Sequence, residues 1–237
     1  FLKAARFEQA HGEVRIFAPT EFKAVGKLFT VRIDYGGKPR EAPRPPWDGG
    51  FVWSKTKSGA PWIATCNQMQ GADLWWPCKD QPDDEANSVS ISVTVPKPLV
   101  VASNGRALDV HEDMDCVTGG PKPGWRSFQW AVTTPINTYG IALNIAPYQT
   151  ITRDYTSVAG DTFPVTYWVL PENLEKGKIL FEDILRQMAF FESVFGPYPF
   201  EVAGGVLSYE QIGGALECQT LPVYGRGSDL ETIVHEL

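Results

Sequence analysis

Two glutamates and a histidine near the end of the chain are of types, and at spacings, that could carry chemistry: Glu217 and the adjacent pair His235-Glu236. A helix with histidines at i and i+4 on one face can hold a metal ion, and the glutamate directly after the first histidine then polarises a water on that metal. The first half of that pattern stands here as Val234-His235-Glu236-Leu237. Glu217 closes a run of small residues, Gly213-Gly214-Ala215-Leu216-Glu217. Glycine and alanine let another backbone approach closely, so an extended peptide could add itself as a strand along Gly214 and Ala215, with Glu217 as a fixed anion at one end. A buried carboxylate in that place wants a cation, and the α-ammonium of a peptide is the cation that would make the site an exopeptidase site.

These groups need rigid carriers. Ser228 and Glu231 have the spacing of a capping box, Asp229 adds negative charge at the positive helix end, and Leu230, Ile233 and Val234 form one apolar face. This predicts a helix that places His235 and Glu236 about two turns in.

With two upstream segments these residues form an ordered set: Pro77-Cys78-Lys79-Asp80-Gln81-Pro82, Ser103-Asn104-Gly105, Gly214-Ala215-Leu216-Glu217-Cys218 and Val234-His235-Glu236-Leu237. In that order the chain resembles the aminopeptidase N family of zinc metallopeptidases, whose pattern is P-C-x-D-x-P, S-N-G, G-[AG]-M-E-N and then H-E-x-x-H. Leu216 stands where the family commonly has Met and Cys218 where it commonly has Asn, which bears on substrate range. The resemblance implies a saddle-shaped, antiparallel β-sandwich-like N-terminal domain followed by the start of an α+β, thermolysin-like catalytic domain. It implies one zinc ion with His235 as its first ligand, the second His, a Glu ligand and an oxyanion-steadying Tyr lying beyond Leu237. Glu236 would then be the general base, Glu217 the ligand of the α-ammonium, Gly214 and Ala215 the edge along which substrate lies, and peptides with a free N-terminus the substrates. The family also supplies a second amine contact, a Gln shortly before the Pro-Cys segment. Gln68 and Gln70 both stand there, and the spacing to Trp75-Trp76-Pro77 favours Gln68. One branch of the family also opens epoxides on the same zinc, so that activity is an alternative.

Bulk properties narrow the field. The chain has 237 residues, 43% of them hydrophobic, ample for a core. With 21 basic against 28 acidic residues and no lysine-arginine cluster, it lacks the footprint of a nucleic-acid or anionic-membrane partner. No stretch approaches eighteen uninterrupted apolar residues, so no membrane span is expected, and Phe1-Leu2-Lys3-Ala4 does not read as a signal peptide. Cys66, Cys78, Cys116 and Cys218 are irregularly spaced without a C-x-x-C pair. They read as free buried thiols in a reducing, cytoplasmic compartment, not as a zinc site or a disulfide framework. His11 and His111 have no second ligand type at metal spacing and read as surface residues.

Period-two alternation predicts strands at 28–35, 88–95, around Phe128, Trp130 and Val132, at 139–145, and at Phe163, Val165 and Tyr167. Residues 36–50, rich in Pro and Gly, read as a loop. Residues 99–110 read as a hairpin folded at Ser103-Asn104-Gly105, since Asn-Gly suits a tight turn. After Trp168 the period changes: Leu180, Ile184, Met188, Phe191 and Phe195 form the stripe of a helix over 172–195 that stops at Gly196-Pro197, and 202–208 reads as a strand. The domains expected are therefore a β-domain, 1–168, and the start of a catalytic domain, 169–237. Eight tryptophans could include a stacking platform, which would make the chain a non-catalytic β-sandwich binding module; core packing accounts for most of them.

Overall fold

Alternating side chains become strands only where the backbone also finds a partner, and the computed structural model separates the two conditions. It describes residues 5–18, 26, 28–68, 70–208 and 212–237; the start at 1–4, Met69, and residues 209–211 ahead of the glycine run lie outside them. The chain forms two compact units, Phe1–Lys38 and Pro39–Leu237. In the first, β1 (Arg6–Ala10) and β2 (Glu13–Phe17) make an antiparallel hairpin. It turns at His11 and Gly12, at φ of 53° and 81°, the pair of left-handed residues that matches strand twist across a two-residue loop. The stretch 28–35 is not a strand, and Phe29, Val31, Ile33 and Tyr35 are exposed. Alternation specifies a face, not the ladder of hydrogen bonds that makes it part of a sheet.

In the second unit, β3 (Gly50–Lys55), β4 (Pro61–Cys66), β6 (Val100–Ser103) and β9 (Leu143–Ala146) form an antiparallel sheet in the order β3-β4-β9-β6. Strands β5 (Val89–Pro96), β7 (Arg106–Asp115) and β8 (Gly120–Val132) form another, in the order β5-β8-β7. The expected alternation over 139–145 survives only in part: 138–140 is a 3₁₀ turn, and β9 is buried on both faces. One core takes in Trp62 and Ala64 of β4, Val101 of β6, Phe128 and Trp130 of β8 and Ile145 of β9. Of the remaining tryptophans, Trp168 also packs there, while Trp47 and Trp53 are exposed.

The hairpin read at Ser103-Asn104-Gly105 does not form. β6 pairs with β9, whereas β7 pairs with β8, so the chain passes from one sheet to the other at this corner. A tight hairpin turn of this type needs two residues at positive φ, and only Gly105 has it, at 78°. Asn104 is fully buried; its side chain satisfies backbone groups of other segments instead of closing a turn.

The remaining strands make a five-stranded sheet in the order β10-β11-β12-β14-β13: β10 (Gln149–Thr156), β11 (Thr162–Val169), β12 (Ala203–Leu207), β13 (Ala215–Leu216) and β14 (Val223–Tyr224). β11 and β12 are parallel neighbours, which requires a crossover, and α1 (Leu174–Phe195) provides it. The sheet runs on both sides of Trp168, so the change of period there marks the first α-helix within a continuous sheet. Trp168, Val206, Leu216 and Val223 join the β-core; Val165, Tyr167, Val169 and Leu207 pack with Phe181, Ile184 and Met188 of α1.

The buried positions of α1 are Gly177, Phe181, Ile184, Met188 and Glu192, a stripe turned from the one read in the sequence. Phe195 is 80% exposed, while Glu192 is only 4% exposed. The reason lies in what faces the last turns: the Tyr155 hydroxyl at 2.7 Å, the Ser157 hydroxyl at 2.7 Å and the backbone N–H groups of Val158 at 3.0 Å and Tyr198 at 2.7 Å all donate to the Glu192 carboxylate. Burial pushes its pKa up, but these four donors together outweigh burial and hold it below the ordinary value.

Candidate active site

The glycine run lies at the border of the five-stranded sheet, since β13 is its outermost strand. Within the chain, the Gly214 N–H donates to Arg226 O at 3.2 Å and the Gly214 carbonyl accepts from the Gly225 N–H at 2.9 Å. Gly214 has φ 73°, open to glycine at no steric cost. The next pair in register is Ala215 with Tyr224, and the Tyr224 carbonyl is turned the other way, accepting from Ser208 N–H at 3.0 Å. Ala215 and Tyr224 are therefore a non-hydrogen-bonded pair, and the N–H and C=O of Ala215 point to the outer edge. Of the two residues expected to meet substrate, Ala215 offers backbone groups, whereas the space over Gly214 is taken by the ring of Trp47.

Glu217 follows directly. It is exposed, where the sequence reading had it buried, because β13 ends at Leu216 and the next side chain leaves the sheet. Gln68, just after β4, is brought beside it: Gln68 Nε2 donates to Glu217 Oε1 at 3.4 Å, a long bond. The amide's oxygen, Gln68 Oε1, is buried and accepts no hydrogen bond among the described residues. Gln70 is elsewhere occupied, its Oε1 accepting from the Gly49 N–H at 2.7 Å. The structure thus gives the place beside Glu217 to Gln68.

Tyr139 is a residue of this cluster that the sequence reading takes for a strand position. Burial first, then the charge of Glu217 and a hydrogen bond to it, with smaller contributions from Cys218 and Glu236, push its phenol up to about 12. It therefore stays protonated at neutral pH, a neutral phenol beside the Glu217 carboxylate. No local pattern marks it; only the 3₁₀ turn, capped by Asn137 Oδ1 accepting from the Tyr139 N–H at 3.1 Å, aims it.

The Ser103-Asn104-Gly105 corner braces the same segment from behind. Asn104 Nδ2 donates to Gly140 O at 2.8 Å and to Gln219 O at 2.7 Å, and Asn104 Oδ1 accepts from the Ala142 N–H at 2.7 Å. The Gly105 N–H donates to Thr220 Oγ1 at 2.8 Å. A Cβ on Gly105 would stand 2.1 Å from Ala131 O. One buried asparagine thus ties the turn that carries Tyr139 to the segment that follows Glu217.

The helix expected around His235 is α2 (Leu230–Glu236). Its cap is Asp229, whose Oδ1 accepts from the Thr232 N–H at 2.9 Å; Ser228 does not cap it, its hydroxyl instead lying 3.5 Å from Gly214 O. Asp229 competes better because an ionised carboxylate binds an N-terminal N–H more strongly than a hydroxyl does. Ile233 is fully buried, but Leu230 is 51% exposed, so the apolar face is narrower than read. His235 is exposed and Glu236 half-buried. Burial, then the charge of Glu217, raise the Glu236 pKa, while the neighbouring His235 lowers it. Glu236 Oε2 is buried without a hydrogen-bond partner among the described residues.

The described residues contain no group of three His, Cys, Asp or Glu side chains placed to hold a metal ion. His235 and Glu236 fit the part of a zinc centre they would supply: an accessible imidazole, and beside it a carboxylate with an oxygen free to accept a proton. All four cysteines are free thiols, Cys66 and Cys218 buried. His11 is exposed and His111 half-buried. No helix of the described residues is long and apolar enough to cross a membrane.

No family model matches the sequence, and no curated protein matches it. Solved structures do. An M1 zinc metallopeptidase from Deinococcus radiodurans is 23% identical with a TM-score of 0.63, covering 84% of this chain and 44% of its own. A two-domain M1 zinc metallopeptidase variant bound to L-arginine is 22% identical, TM-score 0.62, over the same shares. Legionella pneumophila aminopeptidase A in complex with aspartic acid is 20% identical, TM-score 0.64, over 78% of this chain and 23% of its own. This chain spans less than half the length of each. Mostly β, with antiparallel sheets and then the helices α1 and α2, the chain has the fold of the M1 zinc metallopeptidases over the part that it covers.

Proposed function

We propose that the chain is part of a zinc-dependent aminopeptidase: the N-terminal β-domain and the opening of the catalytic domain, the remaining zinc ligands following Leu237. The observation that carries this reading is the meeting of Gln68 and Glu217, 149 residues apart, at the end of a sheet-edge strand with Glu236 close enough to feel the charge of Glu217. An M1 enzyme of the same fold, from Deinococcus radiodurans, has been solved with a Tyr-Ser-Ala substrate, which agrees with a peptide site. Because β10 and β11 share their sheet with β12 to β14, we place the start of the catalytic domain between β9 and β10, ahead of Trp168.

In this reading a peptide lies along β13 with its amide groups opposite those of Ala215, and runs toward Gly214. Glu217 accepts from the α-ammonium, and the Gln68 amide beside it adds a neutral contact. Together they fix the N-terminus so that the first peptide bond, and no later one, lies by Glu236. Zinc, held by His235 and ligands beyond Leu237, would supply Lewis acidity. Glu236 takes a proton from the attacking water and returns it to the leaving amine.

Glu236→Gln in the full-length protein tests this. It should retain zinc by metal analysis but lose about 10² to 10⁴ in kcat on a free-amine substrate such as leucinamide, the usual cost of removing a general base. Wild-type turnover with zinc bound would remove Glu236 from the mechanism.

A further inference from the structure

The glycine edge has an aromatic neighbour that the mechanism leaves unused. Trp47 is 55% exposed, yet its ring lies over Gly214: a Cβ built on that glycine would stand 2.6 Å from Cη2 and 3.2 Å from Cζ3 of the indole. The loop that carries Trp47 is tied down on both sides. The Asp48 N–H donates to Arg44 O at 2.9 Å and the Phe51 N–H to Arg40 O at 2.8 Å, and Gln70 takes the Gly49 N–H. Trp53, the other exposed tryptophan, stacks instead on Phe51 at 5.4 Å. A large ring fixed in place, exposed on one side and resting on the strand against which a peptide would lie, is suited to contact that peptide.

We infer that Trp47 is a specificity-determining contact for the second or third residue of a peptide substrate, on the leaving side of the cleaved bond, and favours an aromatic or bulky apolar side chain there. This rests on the aminopeptidase reading. A peptide whose ammonium is held at Glu217, and which follows the edge, must run toward Gly214. Gly214 lies three residues back, about 10 Å at roughly 3.3 Å per strand residue. The first residue stays at Glu217, and the breadth of the indole carries it from Gly214 toward the side chains one and two positions on, those of the second and third residues. Glycine is required under the ring for space as well as for its φ.

The test uses the full-length protein with leucinamide and the tripeptide amides Leu-Gly-Gly, Leu-Phe-Gly and Leu-Gly-Phe. Wild type should prefer at least one phenylalanine peptide over Leu-Gly-Gly. Trp47→Ala should lower kcat/KM for that peptide by about 2- to 12-fold, the worth of an aromatic pair, leaving leucinamide and Leu-Gly-Gly unchanged. Trp47→Phe should keep most of the preference and Trp47→Leu should lose much of it; that pair gives the answer if the alanine variant does not fold. Equal losses on all four substrates, or no loss on any, would overturn the inference. Calorimetric binding of the same peptides to zinc-free protein separates the two proposals. If nothing is hydrolysed, the aminopeptidase reading fails, whereas a binding preference for phenylalanine that disappears in Trp47→Ala still upholds the contact. Absence of that preference in wild type overturns it.

Discussion

Replacing Glu217 by Ala in the full-length protein isolates the ammonium contact. The carboxylate is exposed, and its bond from Gln68 is long, 3.4 Å, so removing it should cost the free protein little stability. The loss should appear when substrate binds. An exposed ion pair contributes at most about 1 kcal/mol, and a hydrogen bond to a charged group in a desolvated site about 1.5 to 3 kcal/mol. Glu217 lies between these limits: solvent reaches it in this chain, but the Tyr139 phenol and the Gln68 amide flank it, and a bound peptide would exclude water from the third side. About 1.5 to 2 kcal/mol follows, which is roughly 10- to 30-fold in kcat/KM. The assay is kinetics on a matched pair, a free peptide and its N-acetylated form, because the acetylated substrate brings no cation. The ratio of the two should shrink by the same 10- to 30-fold. Gln68→Ala should cost less, about 2- to 5-fold for a neutral contact. An equal loss on both members of the pair would refute the reasoning and leave Glu217 as a structural residue of the sheet edge.

Two further outcomes concern the scaffold. Glu192→Gln should destabilise the chain by roughly 2 to 3 kcal/mol at neutral pH, because a carboxamide cannot accept from four donors. The folded pKa of Glu192 is depressed, so its contribution is complete above the ordinary value of 4.5 and is lost as pH falls through the lower folded value; thermal unfolding against pH should show a steeper acid loss in wild type than in Glu192→Gln, and parallel curves would contradict this. Asn104→Ala leaves two carbonyls and one N–H without the partner they have now and should cost about 3 kcal/mol, or roughly 6 to 12 °C in Tm; a change under 2 °C would show that the corner is not the brace described above.

The sequence by itself determined the local elements and the order of the chemical groups. Period-two alternation placed β5, β8 and β11, the glycine at 196 ended α1, and the spacing of Gly214 to Glu217 and His235-Glu236 named the residues to watch, because each of these signals is written in a few neighbouring side chains. Which segments pair with which was decided only in three dimensions. Residues 28–35 alternate as well as any strand in the chain and still belong to no strand among the described residues, and Asn104-Gly105 has the composition of a hairpin turn and serves as a buried corner between two sheets. Composition cannot record where a distant acceptor such as Gln219 O will stand. The cap of α2 passed from Ser228 to Asp229 by competition between two good candidates one residue apart, and the stripe of α1 admitted Glu192 because four donors from other segments converge on it. The cluster of Gln68, Tyr139, Glu217 and Glu236 is the same case: its members come from four segments, and only the packing of the sheets and α2 brings the two carboxylates, the amide and the phenol close enough to act on one another.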